Sequence, residues 1–594
     1  TRAAAPAAPP LAPLPVQAAP GSGVYPEPQT VTLTAAPSSA IFYTADGSDP
    51  TTSPTRARYR GPLPIAGTTL LKVVAIAPDN QRSSVLSAVY TIATTAGYRD
   101  QAYAGASAPT AKEEASELWH HADAWWGVLY HPTAPKGLRI ARLDPATQLW
   151  RDVGAPTLDP RPSAKFDVLA DGDMLYLAAH LMQGPNQEDV SGRRTDPGAV
   201  QFQRLRFDAA RQTYRADLPP RPIAAGTMET FVLAKDTTGT LWGAFTQDNV
   251  VKVMHTQGAD ANWTAPYQLP TAGSAVSSDD TAALVAFGAK IGVMWSNQCP
   301  DHQGCPPNAQ EHKMYFAWHA DGAADAAWTG EVAYFVAGKK GADDHINLKA
   351  DASGRVYAAV KTSFTQPADP LINLLVRQAD GTWDAYPVGT VADDQTRAIV
   401  LLDASDDAVF VFAAAPARGG AIYVKQSSLS AIAFAPGRGT PIIQSAADAT
   451  INNVTSTKQT VDRRSGLVVL AGDDGTHRYL HNTLALPRSL AAGPAAAATA
   501  TAAAEQAGCA DGPLYPVGAD VVTTRPAPLS AVAPGLDVPP GTPGPVALAP
   551  AGTRLAIAGP YVEAGVCDRW PVQRPGDPGI WLIDERNLQA IPPP

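Results

Sequence analysis

Asp343-Asp344-His345-Ile346-Asn347-Leu348-Lys349 sets an acidic pair at the start of an apolar run, and this arrangement recurs along the chain. Asp279-Asp280 precedes Thr281-Ala282-Ala283-Leu284, and Asp393-Asp394 precedes Gln395-Thr396-Arg397-Ala398-Ile399. Upstream, Glu117, Asp167 and Glu229 stand at matching places, and Thr455 holds the equivalent place downstream. The steps between these anchors are 50, 62, 51, 64, 50 and 61 residues. A recurrence at that period predicts a repeat architecture.

Each repeat reads as four short strands. After the anchored run comes a polar turn, such as Asp171-Gly172-Asp173 or Asp351-Ala352-Ser353-Gly354, and then the most apolar run, as in Leu175-Tyr176-Leu177-Ala178-Ala179. A third run alternates, as in Leu138-Arg139-Ile140-Ala141-Arg142-Leu143, and an aromatic marks the fourth: Trp150, Tyr214, Trp263, Trp328 and Trp383. Short β-runs punctuated by turn residues predict strands. Four per repeat over residues 96–487 predict an all-β chain built on a seven-bladed β-propeller. The seventh repeat shows three strands, so residues 98–108 are expected to supply the fourth and close the ring.

The rest of the chain divides by composition. Residues 1–22 are rich in Ala and Pro and read as a linker, as does the Ala-rich stretch 488–508. Residues 23–95 carry short strands with turn signals and predict a small β-sandwich. Residues 509–594 read as a small β-rich segment, one blade or a cap, which could dock another protein. The 594 residues are 45% hydrophobic and 17% charged, enough for a large core. A net charge of −10 disfavours nucleic-acid binding, and no apolar run is long enough to span a membrane. The start, Thr1-Arg2-Ala3, lacks Met and reads as a processed terminus, so an extracellular or periplasmic location is expected. Cys299 and Cys305 flank a polar loop and are expected to form a disulfide, with a Zn site using His302 and His312 as the rival. Cys509 and Cys567 are the second expected pair.

Within the sandwich, Tyr43-Thr44-Ala45-Asp46-Gly47-Ser48-Asp49-Pro50-Thr51, Tyr59-Arg60-Gly61-Pro62 and Leu70-Leu71-Lys72-Val73-Val74-Ala75 resemble the chitobiase/β-hexosaminidase C-terminal-type module. That resemblance implies a non-catalytic, immunoglobulin-like accessory domain of secreted, often glycan-active bacterial proteins. The Asp46-Gly47-Ser48-Asp49-Pro50 stretch itself reads as a structural turn. The repeats are similar to the sialidase-like (BNR) superfamily in blade pattern and in turns such as Asp380-Gly381-Thr382-Trp383. No Ser-x-Asp-x-Gly-x-Thr-Trp box is intact, and neither the arginine triad nor the Tyr–Glu pair of sialidases can be assigned.

In a propeller the anchors Glu117, Asp167, Glu229, Asp280, Asp344 and Asp394 would converge at the channel mouth. Lys165, His345, Lys349, Arg397 and Lys458 would lie beside them, and the long polar loops 183–199, 297–313 and 361–370 on the same rim. Three readings compete for this ring. In the first, each carboxylate staples neighbouring backbone. In the second, the ring performs glycan chemistry as a glycoside hydrolase or polysaccharide lyase, with Asp344, Asp394, Asp280, Glu229, His345 and Arg397 as candidate catalytic groups. In the third it binds a polysaccharide or surface glycan, or a cation such as Ca²⁺, through Glu117, Asp167, Glu229, Asp280, Asp344, Asp394, Lys349 and Lys458. Trp119, Trp125, Trp126, Trp295 and Trp318 are candidates for stacking on sugar rings. No organic-cofactor motif is present.

Overall fold

In the computed structural model every described element is a strand except one turn of 3-10 helix at Val391–Asp393. The structure describes residues 16–486, apart from 94, 105–107, 111, 134 and 183–198, together with the backbone of eight strands between 520 and 590. The chain forms two compact units that divide after Ser489.

The first unit begins with a sandwich. One sheet joins Gln17–Ala19, Gln29–Thr34 and Leu63–Ile65. The other orders Gly23–Tyr25, Leu86–Ile92, Thr69–Ile76, Ala40–Thr44 and Ala57–Arg58. Gln29–Thr34 alternates because one face is covered, with Val31 and Leu33 buried against Ile65, Leu71, Val73 and Tyr90. The Asp46 turn is structural. Its carboxylate accepts Ser48 N at 2.9 Å, Ser48 Oγ at 2.6 Å and Thr55 Oγ1 at 2.6 Å, and Gly47 takes the left-handed backbone the turn needs.

The repeats then build successive antiparallel sheets. Their first strands are Leu118–His121, Lys165–Asp171, Val232–Lys235, Ala282–Phe287, Ile346–Ala350, Thr396–Asp403 and Ile451–Thr455, and each leads a meander outward. Second strands such as Ala408–Ala415 are buried along their whole length because a sheet packs on either side, which is why they read as unbroken apolar runs. The fourth-strand aromatics fill the gaps between sheets. Tyr214 meets Trp126 and Trp119 edge-on at ring separations of 5.3 and 5.6 Å, and its hydroxyl accepts Trp119 Nε1–H at 2.8 Å.

Each first strand packs beside the next, and the last sheet returns to the first. Leu118 N donates to Ser456 O at 3.1 Å, and Tyr130 N donates to the Tyr479 hydroxyl at 3.0 Å. The last sheet takes its fourth strand from the start of the chain: Tyr98–Ala102 pairs antiparallel with Arg478–Leu484. The sheets therefore close a ring, as in a propeller.

The second unit is all β. Strands between Asp520 and Ala590 join one extended sheet, with Val562–Ala564 paired at its side. Where the sequence is read as one blade or a small β-rich cap, the described strands number eight. The expected Cys509–Cys567 pair falls outside the described side chains.

Candidate functional site

The strand that completes the last sheet ends at Ala102 on the outer edge, and the next strand starts at Leu118 on the inner edge of the first sheet. The connector must run from rim to axis. It does so over the face where the inner strands begin and dips into the channel mouth. Gly472 lets it pass, since a Cβ there would lie 2.6 Å from Ala108 Cβ.

This connector carries Lys112, Glu113 and Glu114, all buried. The Lys112 ammonium pairs with Glu229 and lies 3.4 Å from Asp344 Oδ2. Glu113 pairs with His345 Nδ1, and its carbonyl accepts Asn347 Nδ2 at 2.6 Å. Ser116 N donates to Asp167 Oδ1 at 2.9 Å. A single segment thus ties together the second, third and fifth sheets around the axis. The sequence does not single it out, because three consecutive charges before an anchor carry no mark of burial. The only signal was the shortness of the connector once the closing strand is assigned to residues 98–102.

The anchors divide by what holds them. Asp167 is fully buried and accepts Leu233 N at 2.6 Å, Ser116 N at 2.9 Å and the Lys458 ammonium at 2.9 Å, so it ties the second sheet to the third, to the plug and to the last sheet's inner segment. Asp280 accepts Ser277 N and Oγ, both at 2.7 Å, and Gln298 N at 3.1 Å, a clamp within its own sheet. Glu117 is buried; burial pushes its pKa well up, and the Lys165 ammonium opposes the shift. Asp343 accepts Lys361 Nζ at 2.8 Å and Ser363 Oγ at 3.0 Å. Asp394 departs from the expectation. The 3-10 turn at Val391–Asp393 leaves it exposed in left-handed backbone, and Asp393 caps Thr390 N at 2.8 Å instead. Arg397 lies near enough to Glu113 to favour its ionised form.

Lys349 and Lys458 also depart from the rim. Both line a cavity below the plug, further along the inner strands. Of the stacking candidates, Trp119, Trp125, Trp126 and Trp295 are buried, and Trp318 lies under the Lys290 ammonium at 4.7 Å. They are packing residues. Cys299 and Cys305 are joined, which leaves no thiolate there for Zn. The loop 183–198 falls outside the described residues.

Two clefts open on the plugged face. One, of about 520 Å³, is lined by Glu229 with Met182, Met228, Thr246, Asn249 and Ser277. The other, of about 700 Å³, is lined by His302, Lys339, Lys340, Ser363, Phe364 and Asp369. The disulfide-closed loop meets both: Asp301 and His302 line the second, and Gln303 O accepts Ser278 N at the edge of the first at 2.8 Å.

Burial pushes the Glu229 carboxyl up, with Lys112 opposing and Asp344 adding to the rise. Burial would raise Asp344 too, but His345 and Lys112 hold it well below the usual carboxylate range. Two carboxylates on one ammonium, with pKa values pushed apart, are suited to divide acid and base roles. Asp343, Asp344 and His345 each offer one ligand atom, and these atoms lie within 4.8 Å of one another. Lys361 and Lys112 already neutralise those carboxylates, so a cation would have to displace them.

Residues 20–87 match the chitobiase/beta-hexosaminidase C-terminal domain family. No curated protein matches the chain. Among solved structures, a quinoprotein alcohol dehydrogenase-like protein from Bacteroides thetaiotaomicron is 8% identical over 79% of this chain and 90% of its own, with a TM-score of 0.35. The polysaccharide lyase Uly1 is 9% identical over 65% of this chain and 92% of its own, at 0.38. An α-L-arabinanase from Penicillium chrysogenum complexed with arabinobiose is 13% identical over 56% and 99%, at 0.33. These TM-scores are too low to carry an argument about activity.

Proposed function

We propose that the ring is a seven-bladed β-propeller in an exported, multidomain protein that holds a glycan against its plugged face. The observation that carries this reading is Glu229, which lines the cleft of about 520 Å³ while sharing the Lys112 ammonium with Asp344. The cleft is of the size small-molecule sites usually have and offers a convergent polar group at its floor. The N-terminal module supports the choice of glycan, as its family resemblance implies a non-catalytic accessory domain of secreted, often glycan-active proteins. The Cys299–Cys305 disulfide supports an oxidising compartment.

An enzymatic reading is favoured by the same pair. If the chain is an enzyme, it is a glycoside hydrolase or polysaccharide lyase, with Glu229 as the proton-holding acid and Asp344 as the ionised partner. Asp280 and Asp167 take no part, because backbone N–H groups already hold them. Asp394, exposed, stays outside the site.

The test is a glycan array matched with polysaccharide-degradation assays on wild type, Glu229→Gln and Asp344→Asn. Binding that weakens in both variants supports the glycan-holding face, and degradation abolished in both supports the enzyme. Glycan binding unchanged in both, with no degradation in any sample, would remove this face from either role. A Ca²⁺ titration by calorimetry on the same proteins tests the cation reading, which predicts uptake lost in Asp344→Asn.

A further inference from the structure

Below the plug lies a further cavity of about 160 Å³. Its walls include Leu169, Leu233, Leu284, Val285 and Leu348, from the inner strands of four consecutive sheets. Glu114 and Ser116 of the plug, with Lys349 and Lys458, supply its polar lining, and Lys235 stands among the more exposed residues. It belongs neither to the two clefts nor to the Glu229–Asp344 pair.

The charges in this cavity do not balance. Lys458 has a counter-ion in Asp167, at 2.9 Å. Lys349 is buried, and among the described residues no carboxylate lies within ion-pair distance of its amine. Its contacts are the carbonyl of Leu348 at 3.2 Å and Asn347 Oδ1 at 3.4 Å, both within its own strand. Lys235 is committed to Asp171 at 2.7 Å. Burial and the Glu113 charge push Glu114 well above the usual carboxylate range, which favours its neutral form. A buried amine without an anion is costly in its charged form. Burial, together with the neighbouring Lys458, therefore lowers Lys349 to about 7, with Asp167 opposing.

We propose that this cavity is a binding site for a short-chain monocarboxylate, its carboxylate completing Lys349 and its alkyl tail lying among the leucine walls. The volume admits roughly five or six non-hydrogen atoms at about 30 Å³ each, the span of a four-carbon acid. The wall composition disfavours inorganic phosphate, whose remaining oxygens would meet apolar side chains without hydrogen-bond donors. A bound anion supplies the charge the amine lacks, so it raises the Lys349 pKa. Below about pH 7 the amine is already protonated. Above it, binding draws in one proton, and affinity falls as pH rises.

The test is calorimetric titration of the full chain with butyrate, butyramide and inorganic phosphate at about pH 6 and about pH 8.5, in buffers of differing ionisation enthalpy. Butyrate is expected to bind about tenfold or more tightly than its neutral isostere butyramide. Butyrate binding should weaken at least about tenfold in Lys349→Met. Lys349→Arg, whose charge is permanent, should keep butyrate binding and lose the proton uptake at the higher pH. Absence of butyrate binding, equal affinity for butyramide, phosphate binding as tight as butyrate, or proton uptake that persists in Lys349→Arg would each overturn the assignment. If Lys349→Met fails to fold, the Arg variant and the butyramide comparison still decide it.

Discussion

Replacing Lys112 with Met keeps most of the side-chain volume and removes the charge that holds the plug in the channel mouth. Glu229, 26% exposed, then loses its cation, and Asp344, 16% exposed, keeps His345 beside it. A hydrogen bond to a charged group contributes about 1.5–3 kcal/mol. Removing one partner of a buried pair costs about 3–5 kcal/mol. Discounting Glu229 for its solvent contact gives an expected loss of about 3–4 kcal/mol near pH 8. Without Lys112 the Glu229 pKa, already raised by burial, climbs further above its unfolded value, while His345 still holds Asp344 down. An acid whose folded pKa is raised destabilises the fold fully above that pKa, and the effect fades as pH falls toward the unfolded value near 4. The difference between wild type and Lys112→Met should therefore shrink between about pH 8 and about pH 5. Urea unfolding followed by Trp fluorescence at both pH values measures it, since the buried tryptophans sit between sheets. A loss below about 1 kcal/mol, or one independent of pH, would refute the buried network.

Other tests address separate parts of the ring. Asp167→Asn keeps the shape but offers one acceptor oxygen where the carboxylate serves Ser116 N, Leu233 N and Lys458, and it should cost about 3 kcal/mol by the same unfolding assay. His180 is buried with its pKa pushed down to about 4, so stability is lost as pH falls from about 6.5 through that value. Over that window wild type should lose about 3 kcal/mol more than His180→Leu, read as the difference of their acid-unfolding curves. Replacing Cys299 and Cys305 together by Ser removes a short closed loop worth about 2 kcal/mol. Hydrogen exchange should rise in residues 297–313 rather than across the ring.

The repeat was legible because first strands recur at similar distances and every second strand carries a long apolar run, consequences of packing sheets on both sides. Asp343-Asp344-His345 could be placed at the channel mouth from that register alone. Its partners could not. Lys112 and Glu113 reach it across more than two hundred residues of chain, and nothing in three consecutive charges distinguishes a buried triad from a solvated one. Asp394 read as equivalent to Asp344 because both are second in an acidic pair. A single 3-10 turn rotates it to solvent, a local backbone choice that spacing does not encode. Lys349 and Lys458 were assigned to the rim by sequence proximity. At about 3.3 Å per residue, the few positions separating Lys349 from Asp344 carry it well down the channel.

The strand at Tyr98–Ala102 has a consequence for the order in which the protein is made. It leaves the ribosome before any sheet of the ring, yet its partner Arg478–Leu484 follows nearly four hundred residues later. Until then its edge is unpaired, and the connector that follows it is held by no closed ring. The axis can be filled only when the circle is shut. A chain stopped short of residue 484 therefore loses more than one strand: it leaves an open edge at both ends and a charged segment with no burial site, the state most exposed to aggregation.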